Sequence, residues 1–242
     1  MKIAAWNLQS DKPLLREREA LFRQAMNGVN ADVWVLTETW EKFSPGDDYR
    51  LAAESSPADD LLPVDRRWVA IWVKSSFTTA QQAVQLEQDR MACVHVTKPG
   101  QRDVVVIGTV LPWHFDGRWL YSAGFCAALT IQATEWRRIW RTFPSCVYSV
   151  AGDFNQSLPC KQRRGSKQGE IALNDAIKSQ DLRCVTEGND SLTSIPRIDH
   201  ICVSQSGLRP SFIPQSGEWA IPLIGEKEIT DHSGVFADLE FT

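Results

Sequence analysis

Several things are missing from this sequence, and each absence removes a class of protein. No run of about 18 apolar residues occurs, so no membrane-crossing helix is expected and no membrane partner with it. Met1 leads within two residues into the strand-like Ile3-Ala4-Ala5-Trp6, leaving no room for a secretory leader. The six cysteines (Cys93, Cys126, Cys146, Cys160, Cys184, Cys202) include no Cys-x-x-Cys pair. That scatter predicts buried free thiols in a reducing, cytoplasmic setting rather than a disulfide framework, and its spacing suggests no zinc site. There is no excess of positive charge: 26 Lys and Arg face 30 Asp and Glu, a net charge of -4. Contact with nucleic acid would therefore have to come from a local patch rather than a global field. Repeats, low-complexity tracts and Pro/Gly/Ser linkers are lacking too, so residues 1–242 are expected to form a single domain with no obligate protein partner.

What remains is an ordinary globular composition, 43% apolar and 23% charged, which argues against disorder. Ten tryptophans are many, and most read as core. Lys2 to Leu8 reads as a first strand and Pro13 to Gly28 as an amphipathic helix, with Leu14, Leu15, Leu21, Phe22, Ala25 and Met26 at helical spacing. A second strand, Asp32 to Leu36, ends at Thr37-Glu38. Shorter strands are predicted at Tyr49–Ala53, Trp68–Lys74, Met91–Val96 and Val104–Val110, then a helix from Gly124 to Phe143. Cys146–Ala151 reads as a buried strand and Gly169–Ser179 as a third helix, followed by strands at Leu182–Thr186, Arg197–Val203, Ser211–Ile213 and Val235–Phe241. Strand-rich segments sit between alternating halves, a pattern that suits layered sheets with helices outside (an α/β or α+β architecture) rather than a purely parallel fold.

Five segments share one form: Trp6-Asn7, Thr37-Glu38-Thr39, Gly152-Asp153-Phe154-Asn155, Arg197-Ile198-Asp199-His200 and Thr230-Asp231-His232-Ser233. Each puts a carboxylate, amide or imidazole at or near the end of an apolar strand, where polar groups of layered α/β proteins converge. Several carboxylates meeting in one place repel unless a cation neutralises them. Oxygen donors without a Cys/His set point to Mg²⁺, or to Mn²⁺ as a close second, and so to phosphoester hydrolysis.

In order and spacing these five segments resemble the endonuclease/exonuclease/phosphatase superfamily, the DNase I-like metal-dependent phosphoesterases, over essentially the whole chain. The resemblance implies a four-layer sandwich of two packed β-sheets flanked by helices. Residue by residue, it implies that Glu38 is the principal metal-binding carboxylate, with Asn7 beside it in the metal and phosphate shell and Asp231 a further acid near the metal. It makes Asp153 the acid that orients or deprotonates the attacking water and Asn155 the amide that holds phosphate. His232 then contacts the scissile phosphate and Asp199 orients it. Asp199 and His200 are strand neighbours whose side chains face opposite ways, and the family pattern chooses Asp199, leaving His200 packed.

One departure stands out. Many members carry a His or Tyr near the end of a middle strand shortly before a proline; in Ile107-Gly108-Thr109-Val110-Leu111-Pro112 the position falls to Val110. His114 or, less aptly, Tyr121 would have to supply the group from the loop, unless the alignment is displaced. For substrate binding, the cations Lys161, Arg163, Arg164 and Lys167 follow Asn155 and either track a nucleic-acid backbone or form a solvated loop. Trp113, Phe115, Trp119, Tyr121 and Phe125 either stack on bases or another apolar substrate, or tether a long loop; Trp219 is a further candidate wall. The reading is a Mg²⁺-dependent nuclease acting on DNA or RNA, with a phosphatase or phosphodiesterase for small or lipid substrates as the alternative and an inactive binding module as a remote third.

Overall fold

The computed structural model describes residues 1–57, 63–113, 120–158, 164–187, 196–207 and 214–241. Among these, one six-stranded sheet has the order β11 (Gln215–Trp219), β14 (Gly234–Asp238), β1 (Lys2–Asn7), β2 (Val33–Trp40), β4 (Arg66–Lys74), β3 (Tyr49–Glu54). The second has the order β5 (Thr78–Gln82), β6 (Met91–Thr97), β7 (Val104–Val110), β8 (Val147–Asp153), β10 (Asp199–Ser204), β9 (Leu182–Cys184). A small hairpin joins β12 (Leu223–Ile224) to β13 (Lys227–Glu228). Both large sheets are mixed: β1 runs parallel to β2 and β7 to β8, while the other pairs in them are antiparallel.

Strand alternation builds the layers. On β1, Ile3 and Ala5 enter the core between the sheets, whereas Ala4 and Trp6 turn outward onto helix α1 (Arg16–Val29) with Phe22 and Met26. On β8, Val147 and Ala151 face inward, while Tyr148, Val150 and then Phe154 meet helices α2 (Tyr121–Thr142) and α3 (Lys167–Ser179) on the other side. The result is the expected four-layer sandwich. The sheets pack closely at Gly108, where a Cβ would lie 2.4 Å from Val69 Cγ1 across the interface. No helix among the described residues is long and apolar enough to cross a membrane.

Several expected boundaries moved. Helix α1 begins at Arg16, not Pro13, because the Lys12 and Pro13 carbonyls accept from the Arg18 guanidinium at 3.0 and 3.2 Å, and Leu15 is left exposed. Helix α3 begins at Lys167 because the Ser166 hydroxyl caps the Gly169 amide at 2.9 Å. The edge strands β5 and β11 and the β12–β13 hairpin carry little apolar alternation and gave no strand signal in the sequence. The strand expected at Ser211–Ile213 lies outside the described residues; β11, a few residues later, pairs with β14. The five cysteines among the described residues are free, with Cys93, Cys146, Cys184 and Cys202 buried.

Candidate active site

The polar ends of the strands meet at one mouth of the sandwich. Parity places Asn7, Asp153 and Asp199 on the inward faces that Ala5, Ala151 and Ile201 occupy deeper in the core. Asp153 and Asp199 are direct partners across the antiparallel β8–β10 pair, an arrangement that is repulsive by itself. The chain relieves it with His232, whose Nδ1 lies 2.6 Å from Asp199 Oδ2. Alternation also turns His200 away from the mouth: its ring packs on Phe154, and its nitrogens face Cys184 Sγ and the Gln156 carbonyl.

Glu38 is an exception to alternation. It would share the helix-facing side of Leu36, yet its Oε1 accepts a 2.9 Å hydrogen bond from Asn7 Nδ2. Its backbone is left-handed, with φ of 44° inside a strand, a conformation that costs about 1–3 kcal/mol for a residue other than glycine. Gly152 has φ of 138°, and a Cβ there would stand 2.1 Å from the Thr109 carbonyl oxygen, which explains the glycine before Asp153. The neighbouring strand end is fastened by α2: Gln132 Nε2 donates to the Val110 carbonyl at 3.0 Å, and the Thr109 hydroxyl donates to Gln132 Oε1.

Asn7 and Asn155 are oriented as hydrogen-bond donors. Asn7 Nδ2 also donates to Asp153 Oδ2 at 2.9 Å, while its Oδ1 accepts from the Gln9 amide at 2.8 Å. It therefore bridges the Glu38 and Asp153 carboxylates. Asn155 Nδ2 donates to the Leu111 carbonyl at 2.9 Å and to Asp153 Oδ2 at 3.1 Å, and its backbone amide donates to Asp153 Oδ1 at 2.8 Å. Asn155 thus holds Asp153 through its backbone amide and its side chain.

Burial shapes the charges. It raises the Glu38 carboxyl to about 7, opposed by the Asn7 hydrogen bond and reinforced by Asp153. Asp153 rises to about 6, again chiefly by burial, with His232 lowering it and Asp199 raising it. For His232, burial disfavours the cation, but the carboxylates of Asp199 and Asp153 outweigh that and lift the imidazole to about 10. His232 is thus an imidazolium at neutral pH. Although ligand atoms of Asp153, Asp199 and His232 lie within 4.8 Å of one another, the charged ring hydrogen-bonded to Asp199 is unsuited to ligate a metal. The oxygen-donor carboxylates Glu38, Asp153 and exposed Asp231 fit a hard divalent cation. Asp199 Oδ1 is buried with no hydrogen-bond partner among the described residues.

The loops carrying these groups are clamped from behind. Arg18, buried on α1, donates to the carbonyls of Leu8 at 2.8 Å, Gln9 at 3.0 Å and Ile229 at 2.8 Å. It joins the segment after Asn7 to the segment before Asp231, and its guanidinium also lies over the Phe22 and Trp40 rings. Sequence reasoning missed this clamp; an arginine on the apolar stripe with Phe22 and Met26 was the available signal. Thr230 Oγ1 donates to the Asn7 carbonyl at 2.9 Å and Trp6 Nε1 to the His232 carbonyl at 2.8 Å.

The expected substrate contacts divide. Trp113 is about half exposed, two residues beyond Leu111, whose carbonyl holds Asn155. Arg164 is half-buried, its backbone pinned to Ser157, and Lys167 is exposed at the start of α3. His114, Phe115, Trp119, Lys161 and Arg163 lie outside the described residues. Trp219 is a correction: its ring packs edge-on against Trp6 and Trp34, and a Cβ on Gly234 would fall 1.7 Å from it, so it belongs to the outer core beneath α1 rather than a substrate wall. Val110 is buried in the core between the sheets, so no polar side chain stands at that position.

Comparison with known proteins identifies the class, that of the DNase I-like phosphoesterases. The chain belongs to the Endonuclease/Exonuclease/phosphatase family, whose model matches residues 4–232. Its fold is similar to the human Nocturnin catalytic domain with bound sulfate, with TM-score 0.69 and 15% identity over 100% of this chain and 93% of that one. It is also similar to an AP endonuclease from Leishmania major, with TM-score 0.68 and 11% identity over 98% and 86%. A mannosyl-6-phosphatase of Bacteroides thetaiotaomicron aligns over 100% of both chains with TM-score 0.67 and 13% identity. Among curated proteins, none matches the sequence.

Proposed function

We propose that this protein is a Mg²⁺-dependent phosphodiester hydrolase, a nuclease acting on DNA or RNA. The observation that carries the hydrolytic reading is the linked set Glu38–Asn7–Asp153 beside Asp199–His232, joined by hydrogen bonds of 2.6 to 2.9 Å. Glu38, with Asp231 near it, would hold Mg²⁺, or Mn²⁺ in its place; the cation would neutralise phosphate charge when bound. Asp153, fixed by the Asn155 backbone amide and side chain and by Asn7, orients the attacking water and accepts its proton. His232, held cationic by Asp199, donates to a phosphate oxygen as negative charge builds there.

Exposed Trp113, beside the segment that anchors Asn155, and Lys167 and Arg164 after it support a polymeric substrate with stacking bases and a charged backbone. One observation favours a small phosphoester instead: Val110 is apolar where relatives often place a phosphate-holding His or Tyr, which leaves fewer groups to grip a backbone. The test is metal-dependent hydrolysis of single-stranded, double-stranded and abasic DNA, RNA, and small phosphodiesters and monoesters, beside Glu38→Ala and Asp153→Asn. Cleavage confined to small esters would overturn the nuclease reading. Full activity in both variants would overturn the site.

A further inference from the structure

A second cluster of metal-ligating atoms lies at the other end of the sandwich. His95 on β6, Asp103 just before β7 and Cys146 just before β8 bring Nε2, a carboxylate oxygen and Sγ within 4.8 Å of one another. The register explains how. Asp103 and Cys146 precede the paired residues Val104 and Val147, the Val147 amide donates to the Asp103 carbonyl at 2.9 Å, and His95 stands opposite Val105 one strand over. The whole length of β8 separates Cys146 from Asp153, roughly 20 Å at the rise of a strand. The phosphoester site therefore does not use this cluster.

Two features of the cluster point to a ligand. The first is geometric. Asp103 Oδ2 is 3.1 Å and Cys146 Sγ is 3.6 Å from the same His95 nitrogen, Nε2. Tetrahedral zinc, with bonds of about 2.0–2.1 Å to imidazole, about 2.3 Å to thiolate and about 2.0–2.2 Å to carboxylate, has N···S edges of roughly 3.5 Å and N···O edges of roughly 3.3 Å. The second is electrostatic. One ring nitrogen faces a carboxylate and a sulfur together. If it carries the proton, that hydrogen serves the carboxylate and leaves the sulfur at most a share of it; if it does not, its lone pair can accept from the thiol but opposes the carboxylate. A cation in the centre satisfies all three atoms. The surroundings suit one: the Phe143 ring covers the imidazole at 5.3 Å, and the Cys146 amide donates to the Phe143 carbonyl, so the negative end of the α2 dipole adjoins the site.

We propose that His95, Asp103 and Cys146 form a three-ligand zinc site, with the fourth position open to solvent on the partly exposed side of His95 and Asp103. Binding forms the Zn–S bond and releases the Cys146 thiol proton to solvent. Cysteine spacing could not reveal the site because its three ligands come from three segments, strand β6 and the residues just before β7 and β8.

The experiment uses Co²⁺ as the probe, added to chelator-stripped protein in excess Mg²⁺, with Zn²⁺ as competitor. One equivalent of Co²⁺ should give a thiolate-to-cobalt charge-transfer band that Zn²⁺ abolishes. Cys146→Ser should remove the band. His95→Gln and Asp103→Asn should weaken Zn²⁺ binding by at least roughly 10-fold, and Glu38→Gln should leave it unchanged. Absence of the band in the wild type, or its persistence in folded Cys146→Ser, overturns the proposal. If Cys146→Ser does not fold, undiminished Zn²⁺ binding by His95→Gln overturns it instead.

Discussion

His232 Nδ1 and Asp199 Oδ2 sit 2.6 Å apart at the mouth between two sheets, and this pair keeps a buried imidazole charged among carboxylates. Asp199→Asn removes the charge that holds it so. Hydrolysis should fall by roughly 10²–10³-fold, the usual scale for one oriented donor or acid. The alkaline limb of the pH–rate profile should also move down from about 10. An unchanged alkaline limb in the variant would show that His232 draws its charge from elsewhere.

The proposed mechanism assigns the acidic limb to the two carboxyls. In metal-free protein Asp153 and Glu38 lose their protons near about 6 and about 7. Mg²⁺ favours the ionised forms, so raising its concentration should shift the acidic limb to lower pH. Glu38→Gln should abolish that shift and weaken the metal dependence. A limb that ignores Mg²⁺ would sink the ligand role of Glu38.

Stability carries the same linkage with a definite sign. Glu38, Asp153 and His232 all have folded-state values (about 7, about 6 and about 10) above their ordinary values of 4.5, 3.8 and 6.5. The metal-free folded chain therefore holds protons that the unfolded chain would release. The contribution of these groups is fully present below their unfolded values and is lost as pH rises through about 6, about 7 and finally about 10. Glu38→Gln cannot ionise. Its Tm relative to wild type should rise between pH 4.5 and pH 8 in chelator, the lower bound being the group's ordinary value. A Tm difference independent of pH would contradict the buried, repelled carboxylate.

Arg18 and Gly152 test the scaffold. Arg18→Met keeps apolar volume but strands the carbonyls of Leu8, Gln9 and Ile229, and should cost about 3–5 kcal/mol in urea unfolding. Gly152→Ala meets the Thr109 carbonyl head-on and should cost about 3 kcal/mol or more, through strain at a position of φ 138°. A loss below about 1 kcal/mol in either would mean that the backbone there yields easily.

Much of this was legible in the sequence, for reasons that particular residues make plain. The short, β-branched apolar run Val104–Val110 suits a strand buried on both faces, and its bounds came out as expected. Alternation showed that only one of Asp199 and His200 could face the mouth, and the family resemblance pointed to Asp199. What was hidden depended on partners distant in sequence. Nothing local shows that Asn7 and Asn155 spend their amide hydrogens on Asp153, or that Trp219 is wedged between Trp6, Trp34 and Gly234. Polar edge strands such as Thr78–Gln82 have no apolar face to betray them.

The bonds from Trp6 to His232 and from Thr230 to Asn7 span 226 and 223 residues. Contacts of such range close large loops and tend to form late in folding. The imidazolium cannot reach its place until the segment that leads into β14 docks beside β1. Hydrolytic activity during refolding should therefore lag behind secondary structure and appear with the final cooperative step, so that partly folded chains are kept from cutting phosphoesters.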